Sequence, residues 1–327
     1  MPHHTDQEFP AHGMMRADAA ATWTTGVLDL RHPNSDSGRT WPLGTVNDAF
    51  THGALVGPRR PPQEPVPANS SPASTPLRAD SVPAHDSFTV QSQALGEARP
   101  INVYTPPQYR TPRDRRAGSL PVLYMPDGGM DEDFPHVVHT VDSLIARGAI
   151  RPVIVVGVPN TQRRRDLTGP TRVASDSTIA PRVGGSARFR RFLRDELIPE
   201  IDRRYRTTRE RAIIGESLAG LFILETFLDE PALFTHYIAL DASVWWNAGA
   251  LVDSAGPRLA SLSVAPRTLY FASSAEPSTA VGAARVAALL QAAPPPGLRW
   301  TYKPRPDLTH ATIFLALEAA ALVHALH

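Results

Sequence analysis

The segment Pro152-Val153-Ile154-Val155-Val156-Gly157-Val158 carries no polar side chain along its length. A strand with one wet face alternates apolar and polar residues, so an unbroken β-branched run belongs to a strand covered on both faces. Covering both faces requires helices above and below the sheet, and the chain supplies them. Beyond residue 120, strand-length apolar runs (121–125, 152–158, 211–214, 236–240, 268–272, 298–303) alternate with helix-length patterns (138–147, 186–205, 218–228, 280–292, 312–326). On the 186–205 segment Phe189, Phe192, Leu193, Leu197, Ile201 and Tyr205 form one stripe. This alternation predicts an α/β fold: a mostly parallel central sheet with helices on both faces and right-handed crossovers. Ahead of it, Phe88-Thr89-Val90 and Ile101-Asn102-Val103-Tyr104 flank Gly96 and read as an edge hairpin.

Residues 1–84 have a different character. Pro58, Pro61, Pro62, Pro65, Pro67, Pro72 and Pro76 crowd one window with Ser and Asn. Such a stretch buries too little apolar surface to offset the entropy of ordering it. The expectation is a disordered Pro/Ser-rich extension over 1–84 and one domain over 85–327. A formal net charge of +1 offers no basis for a nucleic-acid or polyanion partner. The absence of Cys excludes disulfides, a thiol nucleophile and thiolate metal sites. No run approaches the roughly 18 apolar residues of a membrane span, and residues 1–30 lack the apolar core of a signal peptide. The default expectation is a cytoplasmic protein, or a periplasmic one if the start is mis-assigned. Composition leaves the oligomeric state open.

The chemistry concentrates at Gly215-Glu216-Ser217-Leu218-Ala219-Gly220. A β-branched strand stops at Ile214 and a helix begins at Leu218, and small residues at 215 and 219 permit the tight strand-to-helix turn that lifts a serine hydroxyl above a sheet edge. The Leu218 N–H at the helix start is then placed to bind an oxyanion. The plainer role for Ser217 is that of a helix cap. Sheets that present a serine nucleophile in such a turn order their partners as Ser, acid, His. Here Glu276 follows the 268–272 strand and His310 follows the 298–303 strand, both at carboxyl ends where ligands gather. Glu276 is the leading acid and Asp241, just past the 236–240 strand, its rival; Asp307 is too local to reach the ring. Gly128 and Gly129 end the 121–125 strand in Asp127-Gly128-Gly129 and are the candidates for a second oxyanion donor.

Three further groups compete for roles. Asp131, Asp133, His136 and His139 have metal-like spacing, but a solvated helix start explains them more simply, so no metal and no cofactor is expected. Arg163-Arg164-Arg165-Asp166 suits an anionic or catecholate ligand or only solvent, and Trp245-Trp246 lines a ligand site or covers the sheet.

At these residues the chain resembles a known family: the esterases of the α/β-hydrolase fold that include enterochelin (siderophore) esterases, esterase D-like enzymes and feruloyl esterases. The resemblance spans about 85–327. It is carried by 121–128, 163–168, 192–199, Ile214-Gly215-Glu216-Ser217-Leu218-Ala219-Gly220-Leu221, Ser243-Val244-Trp245-Trp246 and Thr309-His310. It implies Ser217 as nucleophile, His310 as general base, an acid near Glu276 and a small-molecule ester as substrate, with Trp245, Arg165 and Asp166 as substrate contacts. Departures are Ala219 where many members have Gly, and Asp241-Ala242-Ser243 where many have Ser-Pro-Ser. The expected activity is carboxylic ester hydrolysis. The alternatives are cleavage of a siderophore trilactone and, in another class, ligand binding without catalysis on the same fold.

Overall fold

The computed structural model describes residues 82–110, 118–178, 180, 182–262 and 266–327. Apart from its last three residues, the extension expected over 1–84 lies outside them. In chain order the elements are β1 (His85–Ser92), β2 (Glu97–Tyr104), α1 (Pro107–Arg110), β3 (Leu120–Pro126), α2 (Phe134–Ala146), β4 (Ile154–Val158), α3 (Arg163–Leu167) and α4 (Ala174–Thr178). There follow α5 (Ser186–Phe192), a π-helical turn (Leu193–Leu197), α6 (Ile198–Arg204), β5 (Thr207–Glu216), α7 (Leu218–Asp229) and β6 (His236–Leu240). The chain ends with α8 (Trp246–Ser261), β7 (Arg267–Ser273), α9 (Pro277–Ala292), β8 (Leu298–Pro304) and α10 (His310–Leu326).

The eight strands form one sheet in the order β1-β2-β4-β3-β5-β6-β7-β8. The β1–β2 and β2–β4 pairs are antiparallel and the pairs from β4 to β8 are parallel. The expected hairpin closes with Gly96 at φ +69°, where a side chain would be strained. Strand alternation divides the core in two. Ile154, Val156 and Ile213 point into one cluster with Phe189, Phe192, Phe222 and Leu290 from α5, α7 and α9. Their neighbours Val155, Ala212 and Ile214 point into the other, with Val137, Val141, Ile313 and Leu317 from α2 and α10. This two-sided burial is why the 152–158 run has no polar position.

Besides the short helices α1, α3 and α4, where loops are expected, two longer stretches depart from the expected elements. The helix expected over 186–205 is broken by the π turn, and Pro199 is the second residue of α6. Proline donates no N–H and its ring crowds the carbonyl four residues back, so the ladder widens before it. Helix α8 was not anticipated. Pro257 lies inside it, and Asn247, Ala248 and Gly249 take left-handed angles near its start, a composition that hides helical periodicity.

Candidate active site

Strand β5 ends beside the end of β6, with Glu216 opposite Leu240 in register. The next residue, Ser217, sits at φ 59°, ψ −118°, a conformation that non-glycine residues rarely adopt. Three backbone hydrogen bonds hold it there. The Ser217 N–H donates to the Leu240 carbonyl at 3.0 Å, and the Ser217 carbonyl accepts from Leu221 and Ser243 N–H, each at 2.9 Å. The small residues anticipated around it are sterically required. A Cβ on Gly215 would lie 2.6 Å from the Ala219 Cβ, and one on Gly220 would lie 3.0 Å from the Ala242 Cα and the Leu240 carbonyl. The strain raises the hydroxyl above the sheet edge, where Ser217 Oγ lies 3.2 Å from Ser243 Oγ.

Ser217 and His310 line one cavity of about 330 Å³, with Asp127, Glu132, Asp133, Asn160, Arg163 and Glu216. His310 is the first residue of α10, a start stabilised by reciprocal Thr309–Thr312 capping. Its Nδ1–H donates to Asp241 Oδ2 at 2.6 Å. Asp241 is fully buried and also accepts from Ser274 N–H at 2.7 Å, Ser274 Oγ at 2.8 Å and Thr279 Oγ1 at 2.7 Å. Burial alone would push this carboxyl up, but the bonds from His310, Ser274 and Thr279 outweigh it and hold the group below its usual range. His310 is shifted the other way. The Asp241 bond favours its charged form, burial opposes, and the charges of Glu216, Asp241 and Glu276 add to the rise.

The acid paired with His310 is therefore Asp241, the rival candidate, and not Glu276. Glu276 is exposed at the N-cap of α9 and contributes only its charge to His310. Both acids follow strands that end at the same edge. Asp241 wins because it comes immediately after β6, at φ 42°, which turns its side chain back into the loop beneath the imidazole.

The oxyanion candidates also separate. Leu218 begins α7 directly after Ser217. The Gly128 N–H is engaged with the Val158 carbonyl at 3.1 Å, and a Cβ there would strike the Val158 nitrogen at 2.2 Å, so Gly128 serves close packing on β4. The Gly129 N–H donates to Glu132 Oε2 at 2.7 Å. Glu132 also accepts from Asn160 Nδ2 at 2.7 Å.

The expected substrate contacts are not on the cavity wall. Arg165 is spent on Asp166 at 2.6 Å and on Glu97 at 2.7 Å, while Asp166 accepts from the buried Arg99 at 2.6 Å. The pair braces α3 on β2, with Asp166 buried and Arg165 partly exposed. Trp245 is 36% exposed and packs on Trp246, whose Nε1–H donates to the Gly169 carbonyl at 2.9 Å. The cavity residues with no role assigned from the sequence are Glu132, Asn160 and Glu216, while Arg163, first of the arginine run, lines the cavity and clamps Asp127 through Nε and Nη2 at 2.7 Å each. The Arg163–Asp166 run was noted, but only the fold assigns its first arginine to the pocket and its third to the brace. His136 is held by Glu318 at 2.7 Å and Asp133 at 3.3 Å, and among the described residues no three His, Asp or Glu side chains gather as a metal site.

The family model described as "Esterase: Putative esterase" matches residues 92–290, more than half of the chain. The chain belongs to this esterase family. His310 lies beyond the matched segment, so its place rests on the geometry above. Ferri-bacillibactin esterase BesA of Bacillus subtilis (strain 168) is 37% identical over 109 residues, 29% of this chain and 38% of that protein. The match thus spans well under two thirds of that relative. Among solved structures, an IroE-like serine hydrolase from Shewanella oneidensis superposes with a TM-score of 0.67 at 24% identity, covering 74% of this chain and 79% of the other. A BES protein from Bacillus cereus gives 0.66 at 19% identity, covering 74% and 96%. The fold is that of the α/β-hydrolases, as the sequence motifs implied. Among the described residues no helix is long and apolar enough to cross a membrane.

Proposed function

We propose that the protein hydrolyses a carboxylic ester through an acyl intermediate on Ser217. The observation that carries this reading is the Asp241–His310 pair, bonded at 2.6 Å, with His310 on the wall of the cavity that also holds the strained Ser217. With Nδ1–H committed to Asp241, Nε2 is left as the acceptor for the Ser217 proton. The Ser217 oxygen attacks the ester carbonyl, and the carbonyl oxygen gains negative charge beside the Leu218 N–H at the start of α7. Collapse of this intermediate breaks the bond to the alkoxide, which leaves with the proton carried by His310. Water, deprotonated by the same imidazole, then releases the acid and restores Ser217. A second donor from Gly129 requires Glu132 to leave its amide. Ser217→Ala should abolish turnover of p-nitrophenyl acetate and butyrate and labelling by a fluorophosphonate probe, with folding intact; retained turnover would refute the assignment.

A siderophore trilactone is the second reading, favoured by the 37% identity to a ferri-bacillibactin esterase. Bacillibactin and enterobactin run against simple esters test it, and no preference for the trilactones counts against it. The non-catalytic binding reading predicts no probe labelling of folded protein.

A further inference from the structure

The cavity beside Ser217 is lined by four carboxylates, and three of them have internal partners. Asp127 is clamped by Arg163, Glu132 holds Gly129 and Asn160, and Asp133 faces His136. Glu216 differs. It precedes the nucleophile at the end of β5, and its Oε1 is buried without a hydrogen-bond partner among the described residues. A buried acceptor left in this state costs free energy comparable to a lost hydrogen bond, and among the four cavity carboxylates Glu216 alone carries that cost. His310 from α10, Asp133 from the turn before α2 and Arg163 from α3 share the cavity with Glu216, and Asp241 in the loop after β6 adds its charge from behind the wall.

We propose that Glu216 is a positioning residue for His310: a second carboxylate that acts with Asp241 to favour the charged imidazole formed when Ser217 gives up its proton. The division of labour follows from location. Asp241 is fully buried and hydrogen-bonded on the Nδ1 side, so it is ionised throughout and orients the ring. Glu216 makes no such bond and acts through space. Burial pushes its carboxyl up to about 7, against the pull of the His310 charge. It is therefore neutral in acid and gains its charge through neutrality, the range in which His310 must take up a proton. Ionisation of either group thus favours charge on the other, and the two titrate as a linked pair.

The kinetic consequence rests on the esterase reading above, but the linkage does not. The test is a pH titration of the His310 ring nitrogens by ¹H–¹⁵N NMR on the full chain, in wild type, Glu216→Gln and Glu216→Asp. Glu216→Gln preserves shape and removes the charge. It should lower the His310 titration midpoint by about 1 pH unit, the low end of the range for an opposite charge nearby, and Glu216→Asp should restore part of the shift. The acid limb of kcat/KM for p-nitrophenyl butyrate should move to lower pH by the same amount in Glu216→Gln. A His310 midpoint that does not move in Glu216→Gln overturns the proposal. A midpoint that moves in a protein with no ester turnover would refute the esterase reading and leave this linkage standing.

Discussion

Replacing Asp241 by asparagine separates the two acids that compete for His310. The asparagine amide fits the cage. Its oxygen takes the place of Oδ1 and still accepts from Ser274 N–H and Thr279 Oγ1, both at 2.7 Å in the native site. Its nitrogen takes the place of Oδ2, where the Ser274 hydroxyl at 2.8 Å can turn from donor to acceptor. At His310 there is no such accommodation. An NH₂ group 2.6 Å from Nδ1 forces that nitrogen to accept, and the ring proton moves to Nε2, where it faces Ser217 and blocks proton uptake. The buried counter-charge to the imidazolium is lost as well. A wrong tautomer of this kind costs about 10⁴ in kcat in a well-studied serine hydrolase, or roughly 5.5 kcal/mol of transition-state stabilisation. Asp241→Asn should therefore lose about 10³–10⁴ in kcat/KM for p-nitrophenyl butyrate, with fluorophosphonate labelling slowed alongside and the circular dichroism spectrum kept. Glu276→Gln removes only a distant charge at an exposed position and should stay within about threefold, the effect of less than one pKa unit. A loss in Glu276→Gln equal to that in Asp241→Asn would refute the assignment of the acid.

Five other outcomes follow from the same geometry. Ser217→Gly relieves the φ 59° strain and should raise the thermal midpoint by a few degrees while abolishing turnover, since such a residue stores about 1–3 kcal/mol; a lower midpoint in calorimetry would contradict the strain. Because the Asp241 bond, followed by nearby acidic charges, lifts His310 above its ordinary value, kcat/KM should rise with pH through that lifted value. The stability the pair adds is complete below about 6.5 and fades as pH rises through the folded value, so the stability gap between wild type and His310→Gln should shrink from pH 6 to pH 9 in urea titrations. Asp166→Ala leaves the buried Arg99 with Glu97 at 3.0 Å as its remaining carboxylate and should cost about 1–3 kcal/mol of unfolding free energy, with KM little changed; a selective rise in KM would return Asp166 to the substrate site. Glu132→Ala frees the Gly129 N–H and should speed fluorophosphonate labelling severalfold; slower labelling would show that Glu132 supports the hole and does not obstruct it.

Much of this architecture is written in local chemistry. The Ile213–Ile214 strand, the Gly215–Ala219 contact and the helix from Leu218 specify the Ser217 turn within seven residues, because steric crowding acts over that distance. The two-faced burial of the 152–158 run specifies a covered parallel strand for the same reason. The pairing of His310 is of another kind. Glu276 and Asp241 both follow sheet strands, and their separations from His310 in the chain say nothing of distance in space. Strand order, the left-handed turn at Asp241 and its cage of Ser274 and Thr279 select one and leave the other in solvent. The Arg163–Asp166 run was likewise legible as charge but not as role, since only the packing of α3 against β2 and the cavity sends Arg163 to one and Arg165 to the other. Short-range sterics and burial are encoded where they act. Which distant charges meet is decided only when the sheet brings strand ends together.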